Sequence, residues 1–231
     1  MEKDLIELTE NNFSYIILYY EKALQYNPDD ENLWSNFLDH IQNTSSSISN
    51  RRHLKILKRA CKCCYFKVNF WILLLREMEK QNIPRVEIEK KINEAYQCSE
   101  NERSKYEIWK YSLEYYCRNY RGDLERLHLI RKDFEKCISQ GFQNNEYTIK
   151  IYMIWAEFET YKVKDMIKMV EIMETVVCLS NTDHNHWNAY IQYQKFFGVI
   201  SEIRTVYKRA LQNSSTDKML ISLHWIAWEK M

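Results

Sequence analysis

Six tryptophans and six small residues take turns along this 231-residue chain, and that alternation limits its fold more than any other feature. The indoles stand at Trp34, Trp71, Trp109, Trp155, Trp187 and Trp225, 32 to 46 residues apart. The small positions are Ala23, Ala60, Ala95, Cys137, Val176 and Ala210. Each lies in a short polar or basic step, such as Tyr20-Glu21-Lys22-Ala23-Leu24 or Tyr207-Lys208-Arg209-Ala210-Leu211. The two series interleave without exception. Such a period belongs to two-helix units, which cannot cover their own apolar faces and stack to do so.

Composition agrees. Only three Gly and two Pro are present, too few for the tight turns and bulges of most β architectures. Apolar residues recur with a helical period, as in Trp71, Leu74, Leu75 and Met78 or Trp187, Tyr190 and Ile191. Polar runs such as Asn27-Pro28-Asp29-Asp30, Asn43-Thr44-Ser45-Ser46-Ser47 and Asn213-Ser214-Ser215-Thr216-Asp217 separate the segments and supply helix caps. In each unit the Trp helix comes first and the small residue sits mid-way along the second helix. A Trp buries about 150–250 Å² and fills the wedge between paired helices. A small residue opposite lets the axes approach to about 8–10 Å. The expected fold is an all-α, right-handed superhelical solenoid of helical hairpins in one domain. Its repeats read as 29–66, 67–100, 104–142, 147–181 and 183–214, with partial ones at 1–28 and 217–231. The chain opens in a second helix and stops in a first helix, so a piece of a longer protein is expected.

Several function classes lose support at once. With 33 Lys and Arg against 32 Asp and Glu, no general surplus of cations exists to grip nucleic acid. The longest apolar runs are six residues, far below the roughly 20 that span a bilayer. No secretory signal opens the chain, and seven Cys form no even framework. Reduced thiols in the cytosol or nucleus are expected. Cys61-Lys62-Cys63-Cys64 lacks the second ligand pair of a closed zinc site, so these read as packed thiols, with no metal and no cofactor. Asp183-His184-Asn185-His186 reads as an exposed loop. Phosphate-binding glycine loops, zinc-protease helices and nucleophile elbows are absent, which argues against an enzyme. The densest basic run holds Arg51, Arg52, Lys55, Lys58, Arg59 and Lys62. Arg51, Arg52, Lys55, Lys58 and Lys62 are a candidate RNA-contacting patch, although some cations of the run are expected to pair across helices.

A Trp-aromatic-acidic first helix followed by Tyr-x-Arg-Ala-Leu resembles the HAT (half-a-tetratricopeptide) repeat of RNA-processing factors. The run from Trp187-Asn188-Ala189-Tyr190-Ile191 through Gly198 and Arg204 to Tyr207-Lys208-Arg209-Ala210-Leu211 carries it best. Ile108-Trp109-Lys110 with Leu113-Glu114-Tyr115, and Phe70-Trp71 through Glu79-Lys80, resemble earlier repeats of U4/U6 snRNP recycling factors. The resemblance implies a protein-interaction scaffold of pre-mRNA splicing that acts in U4/U6 snRNP reassembly. It further implies a nuclear location with a cytoplasmic share, snRNP proteins and ubiquitin-specific proteases as partners, and homodimerisation through the C-terminal repeats. RNA contact would lie mainly in recognition motifs outside this stretch. For a dimer surface the candidates are Leu220, Leu223, Trp225 and Trp228. In HAT repeats an acidic residue late in the first helix meets the Arg before the small residue of the second. That assigns Glu79, Glu159 and Glu229 to one role, and Arg59 and Arg209 to the other. Two alternatives stay open: a HAT component of another RNA-processing complex, either U1 snRNP-associated or in 3′-end formation, and direct RNA binding by a basic face.

Overall fold

A computed structural model describes residues 15–43, 49–180, 183–213 and 218–230. Of the expected loops at 43–47 and 213–217, Asn43 and Asn213 are the last residues of their helices, and the rest, with the start of the first partial repeat at 1–14, lie outside the described residues. Everything described is helix or short connection, with no strand among the described residues. Helix α1 covers residues 15–26. It is followed by α2 (Glu31–Asn43), α3 (Asn50–Cys63), α4 (Val68–Lys80), α5 (Arg85–Gln97) and α6 (Glu102–Arg118). Then come α7 (Leu124–Ser139), α8 (Asn145–Phe158), α9 (Met166–Leu179), α10 (His184–Phe197), α11 (Ile200–Asn213) and α12 (Lys218–Glu229). A π turn, Glu159–Val163, extends α8. The chain divides into two compact units, Met1–Trp109 and Lys110–Met231. No described helix is long and apolar enough to cross a membrane.

Short polar side chains start these helices by taking up N–H groups that the first turn leaves unbonded. The side chains of Asp30, Asn101, Asp123, Asn144, Asp165 and Asp183 each accept a backbone N–H two or three residues on, at 2.7–3.1 Å. Pro84 sits just ahead of α5, where its missing N–H costs nothing. Gly198 closes α10 at φ +74°, a left-handed angle that a side chain would oppose, and its N–H reaches the Gln194 carbonyl.

In the first unit α2 packs on α3, and α3 on α4, which in turn packs on α5. Trp34, Phe37, Leu38, Leu57, Leu74 and Leu75 are almost wholly enclosed. In the second unit α8, α9, α10, α11 and α12 pack in sequence, around Phe134, Trp155, Met173, Trp187 and Tyr207. Five small positions, Ala60, Ala95, Cys137, Val176 and Ala210, have no exposed surface. Ala23 is half-buried, because Ile17 and Leu24 carry the inward face of α1. Trp109 is half-buried as well, its ring edge-on to Tyr96 at 5.8 Å. With Ala210 wholly enclosed, Ala210→Leu should overpack α11 and cost about 1–3 kcal/mol in urea unfolding. A parent-like midpoint would contradict the close approach there.

Candidate functional site

The indoles do not share one place on the first helix. Trp34, Trp71 and Trp187 are the fourth residues of α2, α4 and α10. The Nε1–H of Trp34 donates to the Pro28 carbonyl, and that of Trp71 to the Tyr65 carbonyl, both at 2.8 Å. Each pins the turn that enters its own helix. Trp155 and Trp225 lie further along α8 and α12, and their Nε1–H groups donate to Glu159 and Glu229, one turn on, at 2.9 Å.

Two recurring ion-pair junctions follow. In the first, the Arg before the small residue reaches back to an acid of the preceding second helix. Arg59 holds both oxygens of Glu21, and Arg209 both oxygens of Glu174. Each guanidinium also lies over an indole, Arg59 over Trp34 at 5.6 Å and Arg209 over Trp187 at 5.7 Å. The Tyr190 hydroxyl donates to Glu174 as well. In the second junction, an Arg six positions before the small residue holds the acid late in the next first helix. Arg131 grips Glu159 at 2.8 and 2.7 Å and Asp165 at 2.8 Å, while Arg204 grips Glu229 at 2.7 and 2.8 Å. Glu159 is fully buried. The π turn supplies this geometry, since it carries the chain from Glu159 to Asp165 within reach of one guanidinium.

The expected pairing is therefore corrected. Arg59 and Arg209 bond Glu21 and Glu174, whereas Glu159 and Glu229 bond Arg131 and Arg204. The reason is reach. Glu159 and Glu229 face the first half of the second helix before them, at Arg131 in α7 and Arg204 in α11, rather than the residue before the small position of their own partner. In α4 the acid that turns inward is Glu77, 3.5 Å from His53 Nδ1, while Glu79 lies at the helix margin. Sequence spacing alone gives no pairing role to Arg131, Arg204, Glu21 or Glu174. Two signals carry them: an Arg six residues before Cys137 and Ala210, and a Glu two before Ala23 and Val176.

Trp225 and Trp228 also differ from expectation. They turn toward α11, where Trp225 stacks on the buried Tyr207 ring at 5.4 Å and Trp228 lies 6.0 Å from it. Leu220 and Leu223 do face outward, joined by Met219 and Ile226. The histidines expected in a loop belong to the first turn of α10, where His186 Nδ1 lies 2.7 Å from the Ser180 hydroxyl. Cys61, Cys64 and Cys137 are buried, and burial pushes their thiols up to about 12, 11 and 12. No metal-ligating group of three gathers among the described residues.

The electrostatics give the fold a pH dependence. The Arg209 hydrogen bonds, aided by Tyr190, hold the Glu174 carboxyl below the ordinary carboxylate range. At Asp165, burial pushes upward but is outweighed by bonds from the Lys168 N–H and Arg131, so its acidity too is strengthened. Burial lowers His53 against the smaller pull of Glu77, with Lys80 adding to the lowering. A depressed carboxylate stabilises the fold above its unfolded value, about 4, and that contribution disappears as pH falls through the folded one. A depressed His takes up its proton more readily unfolded, so stability begins to drop below about pH 6.5. Urea midpoints should therefore fall on acidification in two stages, and His53→Gln should remove only the upper stage. A flat profile from pH 7 to pH 3 would contradict both assignments.

A groove of about 300 Å³ opens in the second unit between α6 and the end of α8. Cys117, Ile154 and Phe158 line its apolar part, with Glu114 and Arg118 on one side and Glu157, Tyr161 and Lys162 on the other. Burial first, then the Glu159 charge, pushes the Cys117 thiol up to about 12, so it serves as apolar lining. Beside the groove Tyr161 meets Tyr193 and Phe196 edge-on at 5.9 and 5.1 Å, and Tyr161 and Phe196 are both exposed.

No family model matches the chain. Among curated proteins it is similar to the spliceosome associated factor 3, U4/U6 recycling protein of Danio rerio, with 21% identity over 232 residues. The match takes in 90% of this chain and 23% of that protein, so the chain spans about a quarter of its relative's length. Among solved structures it is loosely similar to the tetratricopeptide protein YrrB, described as having an unusual peptide-binding site, at 12% identity and a TM-score of 0.42. That overlap covers 92% of this chain and 98% of YrrB. Human IFIT1, solved as a dimer with m7Gppp-AAAA, gives 13% identity and a TM-score of 0.42 over 95% of this chain and 50% of its own. Thermus thermophilus TTC0263 gives 11% and 0.35, over 100% and 97%. The chain is an all-helical protein of hairpin repeats, with sequence similarity to a spliceosome-associated factor.

Proposed function

We propose that this chain is a non-catalytic, nuclear protein-interaction scaffold of pre-mRNA splicing that serves the reassembly of U4/U6 snRNPs. The observation that carries the reading is the alignment with the U4/U6 recycling protein along 90% of the chain. The groove lined by Tyr161, and the exposed Phe196 of α10, offer protein partners such as snRNP components a place to dock. Ubiquitin-specific proteases as cargo follow from the HAT resemblance. Homodimerisation is supported by the outer face of α12, where Met219, Leu220, Leu223 and Ile226 leave a row of apolar side chains in solvent.

Affinity-tagged chain recovered from nuclear extract tests the process. U4 and U6 snRNAs should be enriched over U1. Enrichment of U1 instead moves the protein to another splicing complex, and enrichment of none of the three removes the splicing role. Light scattering across concentration tests the dimer, which Leu223→Glu should reduce to monomer. A mass that stays monomeric at high concentration contradicts the dimer.

A further inference from the structure

Helix α3 has the sequence NRRHLKILKRACKC and holds six of the chain's 33 Lys and Arg but none of its 32 Asp and Glu. The rest of the chain is thus net acidic, and α3 is a local concentration of positive charge. One cation is spent within the fold, since Arg59 pairs with Glu21 over Trp34. The other five, Arg51, Arg52, Lys55, Lys58 and Lys62, are exposed, and none has an acidic partner among the described residues. Elsewhere cations such as Lys67, Arg85, Lys91, Lys150 and Lys168 lie against carboxylates. Arg51, Lys55, Lys58 and Lys62 follow one another at helical spacing, so they form one stripe about 16 Å long on a single face. Arg51 and Arg52 stand in the first turn, where the helix dipole disfavours cations and no acid offsets them. Charge placed against a local rule, without compensation among the described residues, points to use outside the fold.

Where the stripe ends, two aromatic rings stand in solvent. Tyr65 and Phe66, in the turn after α3, are 50% and 42% exposed and meet edge-on at 5.8 Å. An acidic helix could match the charges but would leave these rings unused. A polynucleotide uses both features, its phosphates on the cations and its bases on the rings.

We propose that α3 and the Tyr65–Phe66 turn form a binding surface for single-stranded nucleic acid. Five phosphate contacts give a salt slope of about −3.5 for a single strand, or about a hundredfold loss of affinity between 50 and 200 mM salt. The test is fluorescence anisotropy of the full chain with a twelve-nucleotide oligouridylate. The same length of oligothymidylate shows whether the sugar is read, and a twelve-residue polyglutamate is the acidic-protein arm. Lys55→Glu/Lys58→Glu/Lys62→Glu should abolish oligouridylate binding, while the Gln triple variant weakens it and flattens the salt slope. Tyr65→Ala/Phe66→Ala should cost about tenfold for the oligonucleotides and leave polyglutamate unchanged. Circular dichroism controls for folding, which these solvent-facing substitutions should preserve. Oligonucleotide affinity that survives in the folded charge-reversed and Gln variants overturns the proposal. So does polyglutamate binding as tightly as oligouridylate with no effect of the aromatic pair, which would mark an acidic protein partner instead.

Discussion

Arg131→Ala should destabilise the protein by about 3–5 kcal/mol, read as a lower urea midpoint, because it strands a buried carboxylate. Glu159 has no exposed surface and accepts three hydrogen bonds, two from Arg131 and one from the Trp155 indole. Removing the guanidinium leaves the indole alone to solvate a negative charge inside the second unit, and it also frees Asp165. The control is the pair. Arg131→Met/Glu159→Leu removes both charges and fills the space with apolar atoms, so it should recover part of the loss, the remainder reflecting the buried Trp155 N–H left without an acceptor and the freed Asp165. A single variant within about 1 kcal/mol of the parent would show that water reaches Glu159. Arg204→Ala should cost far less at the equivalent junction, because both side chains there are partly exposed.

Trp187→Ala should cost about 3–5 kcal/mol by a different route, the loss of apolar contact and the cavity left behind. Trp187 is 1% exposed, with the Tyr190 ring 6.5 Å from its own and the Arg209 guanidinium over its face. Truncation therefore loosens the hairpin of α10 and α11 and also uncovers the Glu174 junction beside it. At about 2–4 °C per kcal/mol for a chain of this size, the melting midpoint should fall by roughly 6–20 °C. Trp187→Phe should lose only part of this. A melting curve unchanged by Trp187→Ala would mean that the indole fills no wedge.

These two sites mark where sequence reasoning reached and where it stopped. The helical-repeat class was legible because its causes are local: a 3.6-residue apolar period, Asp and Asn caps, and a scarcity of Gly and Pro. Alternation along the chain gives the Trp series a single place in the repeat, yet Trp187 sits in the first turn of its helix and Trp155 near the end of α8. Both places lie on the inward face, so periodicity cannot separate them. The polar junctions were harder still. Arg131 and Glu159 are 28 residues apart, Arg209 and Glu174 35, and Arg59 and Glu21 38. Which neighbouring helix supplies the partner is decided by tertiary packing. The stripe on α3 is visible as composition, but that its cations have no acidic partner among the described residues, while the neighbouring Arg59 pairs with Glu21, follows from tertiary packing.

The π turn at the end of α8 makes the chain unusually sensitive to length at one point. Such a turn accommodates one residue more than an α turn, and here the surplus is absorbed between Glu159 and Lys164, whose φ of +63° ends the helix. Deleting any one residue of 160–163 would remove that surplus and shift the break at Lys164 back along the helix, so that Glu159 and Asp165 would no longer meet one guanidinium. A substitution there alters one contact, whereas a frame slip of one residue would uncouple an entire joint.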